Sequence, residues 1–423
     1  MTSKYLQRTI AAGSAVLIFA GLAFAQSGST RPRRVNAPSS NVSSSQDNAP
    51  AASDDSASTE PAPATNRNAT GTNVSASSRR GNAATTGTTD TTHAYSLLQQ
   101  KQYAAAAKEA KQIATNEPNN TEAWKIAGFA EFNLKQYAEA ATDLQRALDL
   151  QRAAKQEDAN TIDALAKAYV LTEKFDQALP LLVAATTRKG AAPDAAMLYY
   201  RGIAEHRTGK AADAERSFNA AVKANPKDAA SLYYLGQMAY ARSDFDAAVS
   251  ALNRATQSDP RLAQAWSLLT SAYLRRAASA TVATKADADY LNAVRAGESL
   301  TRIKTDADAA ILYGQALMGA KQYAKAATVL ERATAGDQAK GPTVYLLGVA
   351  YLRAENFPKA IAALERAATL TPADLNIYRQ LGYAYEVSKL YAKALAAYQK
   401  GAELAPADAN FKESIERVQP FAK

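Results

Sequence analysis

Glycine and proline residues recur at a fixed spacing of 34 residues along most of this chain. Gly202 and Gly236 keep this spacing, and Gly314, Gly348 and Gly382 keep it again. Further equivalent residues follow the same step: Pro226 and Pro260, Pro372 and Pro406, and the aromatic series Tyr323, Phe357 and Tyr391. A constant period of this length indicates stacked copies of one small unit, none of which can bury its apolar face alone. The 423 residues therefore favour an array of units over one large globular core.

Each unit has the pattern of two amphipathic helices joined by a polar turn. In the fifth unit, apolar residues return every three or four positions over about 229–242 and again over about 245–258. Pro260 marks the end of the second helix, because proline lacks the N–H that continuation needs. Asp228, Asp374 and Asp408 follow equivalent prolines, and we expect their carboxylates to cap the next helix.

The recurring glycines lie in the middle of the first helix of their units. A glycine there costs about 0.5–1 kcal/mol relative to alanine. Its recurrence therefore predicts that the second helix crosses too closely for a larger side chain. The predicted contact surface on the second helix consists of small residues at equivalent places: Ala248, Ala326, Ala360 and Ala394.

These units resemble the tetratricopeptide repeat, whose pattern combines Trp, Leu-Gly, Tyr, Ala, Phe and Pro at set places. Trp124, Gly128, Tyr137 and Ala140 match the pattern in the second unit. The fifth unit matches more fully, through Leu232, Leu235, Gly236, Phe245, Ala248, Ala255 and Pro260. The resemblance implies an all-α fold, a right-handed α-solenoid of tandem helix-turn-helix repeats. About nine repeats are expected over residues 91–406, with an insertion near 277–287 and a capping helix within 407–423.

The N-terminal 90 residues have a different composition from the repeats. Lys4 and Arg8 precede an uncharged, mostly apolar run over residues 10–25 that ends in Ala-Phe-Ala, which is typical of a cleaved signal peptide over residues 1–25. The alternative is an uncleaved N-terminal anchor formed by residues 10–25. Residues 26–90 are rich in Ser, Thr, Asn, Ala and Pro and contain no Leu, Ile, Met, Phe, Tyr or Trp, so we expect a disordered linker. Both interpretations place the repeats outside the cytoplasm, in the periplasm or the extracellular space.

Composition excludes several kinds of chemistry. The chain has no cysteine and two histidines, His93 and His206, so thiolate metal sites, disulfides and cysteine nucleophiles are absent. It contains no phosphate-binding Gly-rich loop and no Gly-x-Ser-x-Gly motif. The net charge of +9 is dispersed rather than clustered, unlike that of a nucleic-acid binder. We predict no catalytic residue, no metal site, no cofactor and no nucleic-acid partner.

The resemblance implies a concave groove, lined by the first helices, that binds a protein or peptide. Placing the repeat over this sequence gives ten candidate ligand-binding residues: Tyr199, Arg207, Tyr233, Gln237, Tyr240, Arg275, Tyr345, Arg353, Arg379 and Tyr383. Tyrosine offers contact area and a hydroxyl at little entropic cost, and arginine binds carboxylates through two parallel hydrogen bonds. The alternative for each tyrosine is packing between neighbouring helices.

The sequence supports a scaffold for an envelope complex and leaves two other functions open. One is a carbohydrate- or peptidoglycan-binding module whose groove tyrosines stack on sugar rings, and the other is an accessory subunit of an envelope enzyme or secretion complex. The Lys and Asn pattern that grips chaperone C-termini in one subgroup of the family is missing, since Lys125 is followed by Phe129 and Lys167 has no partner asparagine. The sequence does not indicate an oligomeric state.

Overall fold

The computed structural model of the chain describes residues 89–188, 190, 194–336 and 339–422. This part of the chain contains nineteen α-helices and no β-strand. The predicted signal peptide and all but the last two residues of the predicted linker lie outside the described residues. Thr89 and Asp90 are placed: the backbone N–H of Thr89 donates to the Glu117 carboxylate at 2.9 Å, and Asp90 accepts the N–H of Thr92 at 2.8 Å.

The helices alternate between two roles in nine hairpins, followed by one terminal helix. The first helices of the hairpins are Thr92–Gln99 (α1), Thr121–Asn133 (α3), Ala159–Leu171 (α5), Ala195–Arg207 (α7), Ala229–Ala241 (α9), Ala263–Ser279 (α11), Ala307–Gly319 (α13), Gly341–Arg353 (α15) and Leu375–Val387 (α17). The second helices are Tyr103–Asn116 (α2), Tyr137–Ala153 (α4), Phe175–Thr186 (α6), Ala211–Ala224 (α8), Phe245–Ser258 (α10), Ala283–Ile303 (α12), Tyr323–Ala333 (α14), Phe357–Leu370 (α16) and Tyr391–Leu404 (α18), and α19 is Ala409–Val418. The hairpins stack into a right-handed α-solenoid, as predicted.

A large side chain of the second helix covers each of the recurring glycines. A Cβ built on Gly236 would lie 2.5 Å from Cγ of Leu252, and one built on Gly202 would lie 2.6 Å from the ring of Phe218. The same relation, sixteen residues apart, joins Gly128 to Leu144, Gly314 to Leu330, Gly348 to Leu364 and Gly382 to Tyr398. The predicted close crossing is confirmed. The predicted alanine contact is wrong, because the side chain on each glycine belongs to the residue four positions after the alanine.

We expect Gly236→Leu to lower the free energy of unfolding by about 1–3 kcal/mol, because a side chain here must displace the fully buried Leu252. Thermal unfolding followed by circular dichroism measures the effect. Ala247→Leu is the matched control, since Ala247 is exposed at the start of α10 in the same hairpin. Equal melting profiles for the two variants would contradict close packing at Gly236.

Aspartates begin several helices, although not all the predicted ones act as caps. Asp374 accepts the N–H of Asn376 at 2.9 Å, and Asp408 accepts that of Asn410 at 2.9 Å, which confirms both predictions. The prediction for Asp228 is wrong. Its carboxylate makes no cap bond with a backbone N–H and instead accepts the hydroxyl of Ser231 at 2.6 Å.

The sixth hairpin is the longest of those described, because α11 has 17 residues and α12 has 21. Residues 277–287, predicted as an insertion, form the end of α11, a short connection and the beginning of α12. Arg276 of α11 pairs with Asp289 of α12 within this hairpin at 2.7 Å and with Asp246 of α10 in the preceding hairpin at 2.8 Å. The extra residues therefore lengthen two helices rather than form a projecting loop.

The terminal helix α19 covers the last hairpin. Phe411 is 1% exposed and lies against Gly401 of α18. Two ion pairs join this part of the chain to α17. Arg379 of α17 pairs with Asp408, just before α19, at 2.7 Å, and Arg417 of α19 pairs with Glu386 of α17 at 2.8 Å. Among the described helices, none combines the length and the apolar character needed to cross a membrane.

Candidate binding groove

The first helices of the hairpins form the inner layer of the solenoid. Contacts between alternate helices join α1 to α3, α3 to α5, α5 to α7, α9 to α11, α11 to α13 and α15 to α17. The ring of Tyr199 on α7 also lies 6.1 Å from the ring of Tyr234 on α9. In the described residues the second helices make no comparably extensive contact with one another, so they are spread further apart on the outside. A surface made by the more closely spaced layer is concave.

The ten predicted binding residues differ in how much surface they present. Tyr199 is 7% exposed and Tyr345 is 9% exposed, so their rings are mainly core. Burial raises the pKa of both hydroxyls, which therefore remain protonated. Arg207 is exposed, and the other seven are half-buried: Tyr233, Gln237, Tyr240, Arg275, Arg353, Arg379 and Tyr383. For Tyr199 and Tyr345, the structure shows the packing role that the sequence left as the alternative.

An aromatic cluster explains the burial of Tyr199. Its ring centroid lies 5.5 Å from that of Tyr200 and 6.2 Å from that of Phe218, the residue that covers Gly202. Tyr234 stacks on Phe218 at 5.0 Å and meets Tyr233 edge-on at 5.5 Å. The cluster links hairpins four and five, and Tyr233 lies half-buried at its edge.

The middle of the groove combines aromatic surface with an unsatisfied polar atom. Tyr240 is half-buried and meets Phe245 edge-on at 5.6 Å, which fixes its ring. The Oε1 atom of Gln237 is buried and receives no hydrogen bond from any residue that the structure describes.

The predicted arginines have separate roles. Arg379 is occupied within the described chain: it pairs with Asp408, donates to Asn376 at 2.9 Å, and lies 5.2 Å above the ring of Phe411. Arg207 lies 5.9 Å above the ring of Phe175 and lines a shallow cleft of about 570 Å³. Burial and the charge of Arg207 lower the pKa of the neighbouring His206, which favours the neutral imidazole. Arg379 therefore serves the terminal helix, whereas Arg207 remains accessible.

A larger cleft of about 800 Å³ lies near the N-terminal end of the concave face and was not among the predicted site residues. Its lining includes Tyr95 and Leu98 of α1, Phe129 and Phe132 of α3, and Lys167 of α5. The repeat register contained the signal for it, because Phe129 follows Gly128 directly, as Gln237 follows Gly236. The incomplete pattern of the first unit obscured this cleft in the sequence.

A family model described as a tetratricopeptide repeat matches residues 91–158, 164–215, 207–263 and 345–409, which together exceed half of the chain. A second model, described as anaphase-promoting complex, cyclosome, subunit 3, matches residues 286–367. No curated protein matches the chain.

Several solved structures are similar at low sequence identity. YrrB, described as a TPR protein with an unusual peptide-binding site, is 16% identical, with 48% of this chain and 99% of that chain covered and a TM-score of 0.41. MamA from Desulfovibrio magneticus RS-1 is 24% identical, with 43% and 97% covered and a TM-score of 0.38. A tetratricopeptide repeat protein from Parabacteroides merdae is 15% identical, with 62% and 98% covered and a TM-score of 0.38.

The repeat spacing, the nine stacked hairpins and the family model agree with one another. Repeats of this kind imply a scaffold for protein–protein interaction. The chain belongs to the tetratricopeptide repeat family.

Proposed function

We propose that this chain is a non-enzymatic scaffold that binds a protein or peptide partner in its concave groove, outside the cytoplasm, as part of an envelope complex. The observation that carries the proposal is the inner layer of first helices, which carries half-buried tyrosine, glutamine and arginine side chains. Tyrosine offers contact area and a hydroxyl at little entropic cost, and arginine and glutamine add hydrogen-bonding groups.

The groove suits a partner segment that carries both apolar and acidic side chains. Tyr233, Tyr240 and Tyr383 supply half-buried aromatic surface. Arg207 and Arg353 lie at equivalent places in hairpins four and eight, and neither forms an ion pair within the described residues. A guanidinium without a carboxylate partner can bind one from another molecule through two hydrogen bonds.

The proposed location outside the cytoplasm is supported by the apolar run of residues 10–25, its basic start and its Ala-Phe-Ala end. The composition of residues 26–90 supports a linker that precedes the repeats. If residues 10–25 are an uncleaved anchor, this linker joins the anchor to the repeats. In this arrangement the groove meets exported proteins.

Site-specific photo-crosslinking in the native host tests the groove and its compartment together. A benzophenone amino acid placed at Tyr240 should form adducts with exported or envelope proteins. The same amino acid placed at Ser250, which is exposed on the outer helix α10, should form few. Equal adducts from both positions would contradict a groove-bound partner, and adducts with cytoplasmic proteins alone would contradict the location.

A further inference from the structure

We infer that the edge of the solenoid formed by the turns within hairpins seven, eight and nine is a contact surface for a membrane that contains anionic lipids. This edge, which we call the basic edge, consists of residues 319–326, 353–360 and 387–394. Each segment runs from the last residue of a first helix to the fourth residue of the second helix. The basic edge therefore lies at the ends of the helices, whereas the central groove lies along the first helices.

The basic edge carries six positive charges and one negative charge. The cations are Lys321, Lys325, Arg353, Lys359, Lys389 and Lys393, and the carboxylate is Glu355. All five lysines are exposed. Lys325, Lys359 and Lys393 occupy the same place in three successive hairpins, 34 residues apart, so they form a row along the solenoid.

Carboxylates on neighbouring helices offset only part of this charge. Lys321 lies 3.8 Å from Asp287 of α12, and Lys359 donates to Glu331 of α14 at 3.1 Å. These two carboxylates and Glu355 together leave six cations against three carboxylates. The edge keeps an excess of positive charge.

The remaining lysines have no acidic partner. Within the described residues, no ion pair is formed by Lys325, Lys389 or Lys393. Lys393 lies 5.5 Å from the centre of the Tyr385 ring, a contact that leaves its charge intact. Glu386 of α17 pairs instead with Arg417 of α19 at 2.8 Å, and Glu416 adds one exposed carboxylate near the end of α19. The cations of the ninth hairpin therefore remain available to anionic groups of another body.

The same edge has a different charge in hairpins three to five. The equivalent residues there are 171–178, 207–214 and 241–248. They contain four cations, Lys174, Arg207, Lys210 and Arg242, and five carboxylates, Glu173, Asp176, Asp213, Asp244 and Asp246. The excess of positive charge is thus a feature of the last three hairpins and not of the repeat pattern itself.

Exposed apolar side chains lie at the end of the basic edge that is nearest to α19. Val387 is 36% exposed and Leu390 is 44% exposed, two positions before and one position after Lys389. Phe421 is 63% exposed, the highest value among the large apolar residues that the structure describes. Its ring centroid lies 5.2 Å from that of Tyr391, the first residue of α18, which places Phe421 beside the same turn.

Lysines next to exposed apolar side chains fit a membrane surface. The negative potential of anionic lipids attracts lysines, while apolar side chains beside them enter the boundary between the headgroups and the acyl chains. A single-stranded nucleic acid would stack its bases on aromatic rings, but Val387 and Leu390 are aliphatic. The row of lysines and the apolar end therefore complement the two layers that a bilayer presents, charge outside and hydrocarbon beneath.

A polarity-sensitive dye on a single introduced cysteine tests the contact, because the chain itself has no cysteine. On the purified full chain, the dye at Ala392→Cys, an exposed position next to Lys393, should brighten and shift to shorter wavelength with vesicles of equal parts phosphatidylcholine and phosphatidylglycerol. Vesicles of phosphatidylcholine alone should change it much less. Ala212→Cys is the matched control, since Ala212 is the exposed second residue of α8, as Ala392 is of α18. The dye reports contact at its own position whether or not residues 10–25 also bind the bilayer.

Charge reversal in the dye-labelled chain tests the lysines. Lys389→Glu combined with Lys393→Glu should raise the lipid concentration for a half-maximal response at least about tenfold, because two attractions become repulsions. Lys223→Glu combined with Lys227→Glu is the matched control, because these lysines are also exposed and four positions apart, near the end of α8. Phe421→Ser should raise the half-maximal lipid concentration as well, while the helical circular dichroism stays unchanged.

Four results would overturn the proposal. They are equal responses at the two dye positions, equal responses to the two kinds of vesicle, equal lipid requirements for the two lysine pairs, and a response to soluble polyglutamate as large as that to anionic vesicles. The last result would favour an acidic protein as the partner of this edge. All variants retain the ten predicted groove residues, so failure of the membrane contact is distinguishable from failure of the proposed function.

Discussion

Arg276→Ala should destabilise the sixth hairpin by about 3–5 kcal/mol, because it leaves a buried carboxylate without its partner. The guanidinium of Arg276 donates to both oxygens of Asp289, at 2.7 and 2.9 Å. The Asp289 side chain is 9% exposed, so loss of these donors leaves a poorly hydrated carboxylate. The hydrogen bonds from Arg276 to Asp289 raise the pKa of the guanidinium, which remains charged throughout the accessible pH range.

Local hydrogen exchange measured by mass spectrometry is the suitable measurement, since the stability of a repeat array is distributed along the chain. Loss of protection should concentrate in α11 and α12. Arg295→Ala is the matched control, because Arg295 is exposed on α12 and donates only to Asn292 at 3.2 Å among the bonds described. Asp246→Asn should change stability by less than about 1 kcal/mol, because Asp246 is 87% exposed. Equal protection in Arg276→Ala and Arg295→Ala would show that Asp289 finds other partners.

The repeat period made most of the fold predictable from the sequence. Each glycine fixes the phase of a hairpin, so the fifth unit was predicted over about 229–242 and 245–258 and is observed as Ala229–Ala241 and Phe245–Ser258. The partner of each glycine was not predictable by the same reasoning. Small residues on both helices would also allow the helices to cross closely. Only the three-dimensional packing shows that the Leu252 side chain lies against Gly236.

The candidate site was less predictable, because the repeat register gives the direction of a side chain but not its neighbours. Tyr199 and Tyr233 occupy the same place in successive hairpins, three residues before the recurring glycine. Tyr199 is buried because Phe218 and Tyr234 close over it, whereas Tyr233 lies at the end of that aromatic cluster. Exposure thus depends on the size of residues in the adjacent helices, which vary from repeat to repeat.

The second hairpin contains a buried acidic pair that we expect to make its stability depend on pH. Glu131 of α3 and Asp143 of α4 have side chains 3% and 5% exposed, and both approach Lys111 of α2. Lys111 donates to Oε1 of Glu131, while Oε2 of Glu131 has no hydrogen-bond partner in the described part of the chain. Burial, with the charge of Asp143, raises the pKa of Glu131 to about 7, although Lys111 opposes the shift. Burial raises the pKa of Asp143 as well.

The direction of the effect follows from the raised pKa of Glu131. Between pH 4.5, the ordinary pKa of a glutamate, and about pH 7, Glu131 keeps its proton in the folded chain but releases it in the unfolded chain. The stability associated with this proton is fully present below about pH 4.5 and is lost as the pH rises to about 7. The loss amounts to about 3 kcal/mol, at roughly 1.4 kcal/mol for each unit of pKa difference.

The fourth hairpin has a serine where the second has Asp143, and this difference suggests a variant that tests the buried pair. Glu205 and Ser217 occupy the places of Glu131 and Asp143, and the Ser217 hydroxyl donates to Glu205 at 2.6 Å while Arg201 donates to its other oxygen at 2.8 Å. Asp143→Ser should place a hydroxyl beside Glu131, remove the repulsion between two carboxylates, and reduce the pH dependence of exchange protection in α2–α4 between pH 4.5 and 7, while the part that comes from the burial of Glu131 remains. Glu413→Gln, at an exposed position on α19, should leave that dependence unchanged. If Asp143→Ser keeps the full pH dependence, repulsion between the two carboxylates does not contribute to it, because the variant retains Lys111 and Glu131 and removes only the second carboxylate.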